Sequence, residues 1–342
     1  MDTSTGSQVV QANAGGALRI MSGTRPTGKL HLGHLVGVLL PWAELSRRAE
    51  CFFEVADLHA LTTAYERTAE LAGSVFELVA TMLAVGVDGE RAAIYVQSRI
   101  AEIPELHLLL SMIVPVSWLQ RVPTYKDQLE ALGPEIATYG FLGYPLMQLV
   151  DIAVVRANAV PVGKDQLSHL EFGREVVRRF NHLYGATLVE PQSLLSEFPD
   201  VPGTDGRKMS KSYGNTIDIV ASDDETTARV RSMLTDPQKI RRGDPGRPEI
   251  CPVFALQKIV NAERTGEIER DCRSGALGCV ACKGELASTL NDYLRPFRER
   301  RAAVEPAQVA AVLASGQERA RAAAALTLAE VRAAIGLGRY SE

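Results

Sequence analysis

Apolar and polar positions alternate along the first part of the chain in a pattern that predicts strands and helices in turn. Short apolar runs predict strands at residues 18–22, 51–56 and 93–97. Apolar residues at helical spacing predict helices at residues 34–47 and 67–86. This alternation indicates an α/β fold with a Rossmann-like parallel sheet, whose ligands bind at the carboxyl ends of the strands.

The strand pattern stops near residue 223, and Ala- and Arg-rich helical patterns dominate from residue 284 onward. We therefore expect three parts. Residues 1–16, rich in small and polar side chains, are predicted to be a disordered tail without the features of a secretory signal. Residues 17–220 are expected to form the catalytic domain and residues 221–342 an all-helical domain.

Composition narrows the class of protein. The apolar content of 46% and the charged content of 23% are ordinary for a soluble globular chain, and no apolar stretch is long enough to predict a membrane span. The net charge of −4 excludes binding to nucleic acid through bulk positive charge. Basic segments at 239–242 and 295–301 are candidates for local RNA contact, although solvated helix faces are the simpler interpretation of each.

The first segment with chemical potential is the loop after the first predicted strand. It contains Thr27 and Gly28 and ends in His31-Leu32-Gly33-His34, at a predicted loop-to-helix junction. A helix start offers N–H groups and a partial positive charge to a phosphate, and the two imidazoles can donate to phosphate oxygens. Gly33 lacks a Cβ, so a purine or ribose could pack against its backbone.

The second segment is Lys208-Met209-Ser210-Lys211-Ser212, preceded by a Gly-rich stretch. Two lysines three residues apart in such a segment could close over a polyphosphate and stabilise charge on the departing phosphates. Alone, it is more typical of an exposed basic loop. In this order, the two segments resemble the HIGH and KMSKS signatures of class I aminoacyl-tRNA synthetases.

Four further blocks resemble the tryptophanyl-tRNA synthetase family and follow its order. They begin at Ser22 (Ser-Gly-Thr-Arg-Pro-Thr-Gly), Ala56 (Ala-Asp-Leu-His-Ala), Tyr144 (Tyr-Pro-Leu-Met-Gln-Leu-Val-Asp) and Val160 (Val-Pro-Val-Gly-Lys-Asp-Gln). The resemblance covers most of the chain. It implies a cytoplasmic homodimer that activates L-tryptophan with ATP and Mg²⁺ and transfers the product to tRNA(Trp). It also implies that the helical domain binds the anticodon.

Tyr144, Gln148 and Asp151 fit helical spacing (i, i+4, i+7) and therefore share one helix face. Apolar residues surround Asp151, which argues against a surface position. The resemblance assigns its carboxylate to the indole N–H of the substrate. A hydrogen bond to a charged partner contributes about 1.5–3 kcal/mol, and sites of this kind discriminate by about 10⁴–10⁵ against substrates that leave the group unpaired.

The resemblance implies roles for further residues. Tyr144 and Gln166 would hold the substrate ammonium, and His59 would lie near its carboxylate. Met21, Gly23, Val160 and Val162 would line the indole pocket. The ATP site would comprise Arg25, Pro26, Thr27, Gly33, His34, Lys126, Gly163, Lys164, Asp165, Val201, Lys208, Met209, Ser210, Lys211 and Ser212. Charge stabilisation would come from His31, His34, Lys208 and Lys211. The family usually has Glu at the position of Lys164, which reverses a charge beside ATP.

Four of the five cysteines follow the spacing Cys251-x20-Cys272-x6-Cys279-x2-Cys282. By ligand count, four thiolates suit zinc and a [4Fe–4S] cluster equally well. The pattern resembles a bacterial subset of the family that carries the cluster, so the cluster is the expected group and Zn²⁺ the alternative. Cys51, alone in an apolar run, is expected to be a buried thiol.

Three other functions are compatible with parts of this pattern. A tyrosyl-tRNA synthetase shares the fold and the Tyr-x3-Gln-x2-Asp face, although the four-cysteine motif and the blocks at Ala56 and Val160 favour tryptophan. A nucleotidyltransferase with the same loop usually lacks a long helical RNA-binding domain. A catalytically inactive RNA-binding module is disfavoured because the motif residues are present apart from the usual Glu.

Overall fold

A computed structural model describes residues 17–163, 166–195, 201–241 and 243–338 of the chain. The predicted tail at 1–16 lies outside these residues. Five parallel strands form one sheet in the order β3-β2-β1-β4-β5. They are β1 (Arg19–Thr24), β2 (Glu50–Val55), β3 (Ala93–Val96), β4 (Ala159–Val162) and β5 (Gln192–Leu195). The predicted Rossmann-like fold is confirmed, and the strand order reverses between β1 and β4, where such sheets bind ligands.

Fifteen α-helices accompany the sheet in the described part of the chain. They are α1 (Leu32–His34), α2 (Leu40–Arg48), α3 (Asp57–Ala64), α4 (Leu71–Val85), α5 (Glu102–Ser111), α6 (Val116–Gln120), α7 (Pro123–Leu132), α8 (Tyr139–Leu142), α9 (Tyr144–Val154), α10 (Leu167–Tyr184), α11 (Asp223–Ser232), α12 (Pro252–Val260), α13 (Thr265–Ser274), α14 (Cys279–Ala303) and α15 (Pro306–Ala334). None of them is long and apolar enough to cross a membrane.

The segment after the first loop is helical as predicted, but it is not one regular α-helix. A π-helical stretch, Leu35–Leu39, joins α1 to α2. The helix also begins two residues earlier than expected. His31, in extended conformation, precedes it, and the His31 backbone N–H donates to His34 Nδ1 at 3.3 Å. Single-turn π segments of this kind are frequent at functional sites.

The two faces of the sheet bury different helices. One face, with Ile20, Phe53 and Ile94, packs against α2, α4 and α14; the other packs against α5, α9 and α10. Helix α15 crosses the edge strand β3, and Gly316 comes so close that a Cβ there would lie 2.0 Å from the Ile94 carbonyl oxygen. Because α15 covers this edge, the helical part of the chain shares its hydrophobic core with the sheet.

Candidate active site

A cavity of about 370 Å³ opens at the carboxyl ends of β1, β2 and β4. All nine residues predicted to bind the amino acid line it: Met21, Gly23, His59, Tyr144, Gln148, Asp151, Val160, Val162 and Gln166. Arg25 and Gly163, predicted at the ATP site, line it as well. The cavity therefore brings together residues from four sequence blocks, because the ends of parallel strands meet at one edge of the sheet.

Asp151 lies at the inner end of this cavity with only 2% of its surface exposed. Gln97 Nε2 donates to both carboxylate oxygens at 2.9 Å, and His59 Nε2 donates to Oδ2 at 3.1 Å. The side-chain oxygen of Gln97, Oε1, in turn accepts from the His59 backbone N–H at 3.1 Å. These bonds fix the orientation of a buried carboxylate that would otherwise be costly to desolvate. The sequence pattern did not identify Gln97.

A second polar chain leads from Tyr144 to Gln166. The Tyr144 hydroxyl is 2.8 Å from His169 Nε2, and His169 Nδ1 is 2.8 Å from Gln166 Oε1. Because an amide oxygen accepts, the His169 proton is on Nδ1 and its Nε2 accepts from the tyrosine. The Thr124 hydroxyl lies 2.5 Å from the Tyr144 hydroxyl. Neither Thr124 nor His169 was predicted; both align the two side chains expected to hold an ammonium.

The two histidines of the first loop lie against each other with ring centroids 3.8 Å apart. His34 Nδ1 accepts a backbone N–H, so a neutral His34 carries its proton on Nε2. His31 Nδ1 is buried without a hydrogen-bond partner in the described structure. A Cβ on Gly33 would lie 3.0 Å from the His31 ring, so glycine is needed for this packing.

The prediction that this helix start offers free N–H groups is wrong for two of them. The Leu32 N–H donates to the Ile217 carbonyl oxygen at 2.8 Å, and the His34 N–H donates to the His31 carbonyl oxygen at 2.8 Å. Imidazoles and lysines are therefore the principal groups of these two segments that remain to contact a polyphosphate.

The Lys208-to-Ser212 segment folds back against the first loop. Lys211 Nζ donates to the carbonyl oxygens of Thr27 and Gly28 at 3.0 and 3.1 Å. Asn215, 2% exposed, anchors the segment, because its side chain accepts from the Ser210 N–H and donates to the Asp205 carboxylate. The two signature segments are therefore adjacent, as their predicted shared role requires.

Burial favours the neutral forms of the two histidines in this cluster and lowers the pKa of the neighbouring lysine. Desolvation, with a smaller contribution from Lys211, lowers the pKa of His31 to about 4. Desolvation, then His31 and Lys211, lowers the pKa of His34 to about 3. Desolvation lowers the pKa of Lys211 to about 8. A triphosphate would favour the charged forms of all three groups.

The other residues predicted at the ATP site do not line the cavity in the described part of the chain. Val201 and Met209 are paired through a 2.9 Å backbone hydrogen bond, while Lys208 and Lys126 are exposed. Lys164 and Asp165 lie outside the described residues. The remaining members of the set, Pro26, Thr27, Gly33, Ser210 and Ser212, belong to the two signature segments.

The four clustered cysteines line one small pocket of about 20 Å³ among apolar side chains. Burial, above all, raises the pKa of Cys272, and it raises the pKa of Cys282 to about 11, with Cys251 contributing to both. Among the described residues, no group of three or more potential ligands is arranged to hold a metal ion. Cys51 is buried as predicted, 1% exposed, and burial raises its pKa to about 12.

The two basic segments proposed for RNA contact are partly engaged within the protein, while Arg241, Arg295 and Arg300 are exposed. Lys239 is 8% exposed and donates to the Cys272 carbonyl oxygen. Arg298 and Arg301, with side chains 14% and 16% exposed, form ion pairs with Asp223 and Glu77. Arg242 lies outside the described residues. Arg298 and Arg301 therefore connect α14 to α11 and α4.

Comparison with known proteins agrees with this geometry. Residues 13–295 match the family model described as tRNA synthetases class I (W and Y). The chain is 46% identical to the tryptophan–tRNA ligase of Thermotoga maritima and 42% identical to that of Aquifex aeolicus; the alignments cover 94% of this chain in both cases and 99% and 100% of those proteins.

Among solved structures, the tryptophanyl-tRNA synthetase of Campylobacter jejuni complexed with ADP and tryptophan superposes with a TM-score of 0.84. It is 30% identical, and the match covers 94% of this chain and 100% of that one.

Proposed function

The chain belongs to the tryptophan–tRNA ligases of class I, and from this premise we propose that it activates L-tryptophan with MgATP and transfers the aminoacyl group to the 2′-OH of tRNA(Trp). The observation that carries the proposal is the fixed, buried carboxylate of Asp151 at the end of a mainly apolar cavity. An indole presents one N–H donor on an otherwise apolar surface. Phenylalanine would leave the carboxylate without this partner, which is the strongest basis for discrimination in a site of this kind.

Within this proposal, Met21, Val160 and Val162 contact the indole, and Asp151 accepts its N–H. The substrate ammonium lies between Tyr144 and Gln166, whose side chains are linked through His169. His59 and Gln148 complete the amino-acid site. Binding energy from the ring then positions the substrate carboxylate for reaction.

In the first step, a tryptophan carboxylate oxygen attacks the α-phosphorus of ATP. The bond from that phosphorus to the bridging oxygen breaks, and pyrophosphate leaves with the electron pair. Mg²⁺ enters with ATP as part of the substrate. His34 Nε2–H, His31, Lys208 and Lys211 donate to phosphate oxygens on which charge accumulates, and no protein nucleophile is needed.

In the second step, the 2′-OH of the terminal tRNA adenosine attacks the carbonyl carbon of the adenylate. The ester bond forms, the hydroxyl proton passes to water, the bond from the carbonyl carbon to the AMP phosphate oxygen breaks, and AMP departs with the electron pair of that bond. The other predicted ATP contacts, from Arg25 to Ser212, including Lys164 and Asp165, belong to this proposal.

ATP–pyrophosphate exchange with tryptophan, tyrosine and phenylalanine in turn tests the substrate, and charging of tRNA(Trp) tests the acceptor. We expect exchange with tryptophan far above that with the other two and stable charging of the tRNA. Preferential exchange with tyrosine would favour the tyrosyl alternative. Exchange without any charging of tRNA would favour a nucleotidyltransferase.

We also propose that Cys251, Cys272, Cys279 and Cys282 hold a [4Fe–4S] cluster, with Zn²⁺ as the alternative. The donor set supports a thiolate-bound group, because all four thiols surround one pocket and the cationic group would supply the charge that stabilises their ionised forms. A zinc ion requires four sulfurs at about 2.3 Å from one point. The preference for the cluster over zinc rests on the resemblance of the cysteine spacing. Its role would be structural.

Iron and acid-labile sulfide analysis of anaerobically purified protein distinguishes a [4Fe–4S] cluster from Zn²⁺. Visible absorption that bleaches on reduction is a second sign of the cluster. We expect iron and sulfide in equal amounts, lost in Cys279→Ser and kept in Cys51→Ser, which removes a thiol from the sheet. Wild-type protein that contains zinc and has no visible absorption would show that the site holds zinc and not the cluster. A metal-free protein would end the proposal.

Three further properties follow from the same premise. We propose a cytoplasmic enzyme with a catalytic part at 17–220 and an anticodon-binding part at 221–342. We also propose a homodimer, which exposed apolar residues on neighbouring helices support: Leu108, Met112, Val116 and Tyr139 are 56% to 76% exposed. Sedimentation at micromolar concentration would give twice the chain mass if this is correct, and the mass of one chain if it is not.

A further inference from the structure

Three adjacent strands place one residue each in a row, and two of the three residues, Gly23 and Glu54, line the amino-acid cavity. Gly23 of β1 is paired in register with Glu54 of β2, and Glu54 is paired with Tyr95 of β3. Paired residues in a sheet point to the same face, so the three positions are neighbours. The Glu54 carboxyl leans over Gly23, where a Cβ would lie 3.3 Å from Glu54 Oε2.

Glu54 is an acidic residue in an otherwise largely apolar part of β2. It follows Phe52 and Phe53, it is 1% exposed, and its side chain lines the same cavity as Asp151. Its Oε1 is buried and makes no hydrogen bond to any described residue. The Tyr95 hydroxyl lies close enough to the Glu54 carboxyl for each to shift the pKa of the other, although it makes no hydrogen bond of normal geometry in the described structure. Buried polar groups without a partner are rare and costly, and here the open side is a ligand cavity.

The protonation state of Glu54 determines what it can bind. Burial, followed by the nearby charge of Asp151, raises the pKa of the Glu54 carboxyl well above its ordinary value. The protonated form is thereby favoured, and it offers one O–H donor and one acceptor oxygen. The unsubstituted indole has a single N–H, which Asp151 accepts, so it leaves Glu54 unpaired.

We propose that Glu54 is a specificity-determining residue that recognises a hydroxyl or amino group on the ring of an indole amino acid, giving the enzyme ring-substituted tryptophans as a second substrate class. The inference rests on the proposed function, because it takes the cavity as the tryptophan site. A polar ring substituent would form a hydrogen bond with Glu54 Oε1, which has no partner when unsubstituted tryptophan is bound. Asp151 would still accept the indole N–H.

The test is ATP–pyrophosphate exchange with tryptophan and with its 4-, 5-, 6- and 7-hydroxy isomers. The quantity compared is the kcat/KM of each isomer divided by the kcat/KM of tryptophan. For the best isomer we expect Glu54→Met to lower this ratio about tenfold or more and Glu54→Gln, which keeps a donor and an acceptor, to lower it less than about threefold. Glu50→Met is the matched control, since Glu50 begins the same strand, is exposed and does not line the cavity, and it should leave the ratio unchanged.

An unchanged ratio in Glu54→Met, or wild-type enzyme that activates no hydroxytryptophan, would overturn the inference. Should Glu54→Met not fold, as judged by circular dichroism, the wild type must still prefer one isomer over the others by about tenfold, because one fixed carboxyl meets one ring position. Equal use of all four isomers would contradict it. If the wild-type enzyme did not activate tryptophan itself, the result would contradict the proposed function.

Discussion

Replacing Lys211 with alanine should slow the first chemical step without weakening tryptophan binding. Lys211 Nζ donates to the carbonyl oxygens of Thr27 and Gly28 at 3.0 and 3.1 Å, so it connects the two signature segments beside the predicted phosphate site. It does not line the amino-acid cavity. The ammonium is therefore placed for the triphosphate and not for the indole.

The magnitude follows from the loss of one preorganised donor to a group that gains charge in the transition state. Such a loss costs about 2.7–4 kcal/mol, or about 10²–10³ in kcat. The KM for tryptophan should change less than about threefold, because no contact to the ring is removed. Pyrophosphate exchange at varied tryptophan and ATP concentrations measures both quantities.

Lys258→Ala is the matched control, since it removes an exposed lysine from α12 and should leave exchange unchanged. Two results would refute the assignment. One is a wild-type exchange rate in Lys211→Ala, and the other is a fall in tryptophan affinity as large as the fall in kcat.

Three further predictions concern pH, the carboxylate and the core. The lowered pKa of Lys211, about 8, means that raising the pH through this value removes its charge, so kcat/KM for ATP should fall above about pH 8 in the wild type and not in Lys211→Arg. Gln97→Leu removes the amide that donates to Asp151 and should lower kcat/KM for tryptophan by about 1.5–3 kcal/mol, measured by exchange, with KM for ATP unchanged. Gly316→Ala should destabilise the fold by about 1–3 kcal/mol or more in urea unfolding, whereas Gly284→Ala, at an open helical position, should be neutral or stabilising.

The sequence was sufficient for the elements that carry a strong local pattern. The three strands predicted from apolar runs lie within two residues of β1, β2 and β3. The face shared by Tyr144, Gln148 and Asp151 is a helix face in α9 that lines the cavity. The short strands β4 and β5 were not predicted, because Pro161 interrupts the apolar run of β4 and two polar residues, Gln192 and Ser193, begin β5.

The residues that hold the site together were not predictable from local spacing. Gln97 follows β3 and Asp151 lies on α9, so the two residues are far apart in the sequence and meet only in the folded chain. Thr124 of α7 and Tyr144 of α9 likewise meet through the fold. One signal was available: Glu54 is a charged residue inside an apolar strand, and a buried position for it follows from strand alternation.

The central claim is that the buried carboxylate of Asp151 selects tryptophan by accepting the indole N–H. The most direct test uses a substrate that lacks this N–H but keeps the shape of the ring. In 3-benzothienyl-L-alanine, sulfur replaces the N–H while the ring shape is kept. We predict that exchange with the wild type favours tryptophan over this analogue by about 100-fold or more in kcat/KM, and that Asp151→Leu abolishes the preference. Equal use of the two amino acids by the wild type would contradict the claim.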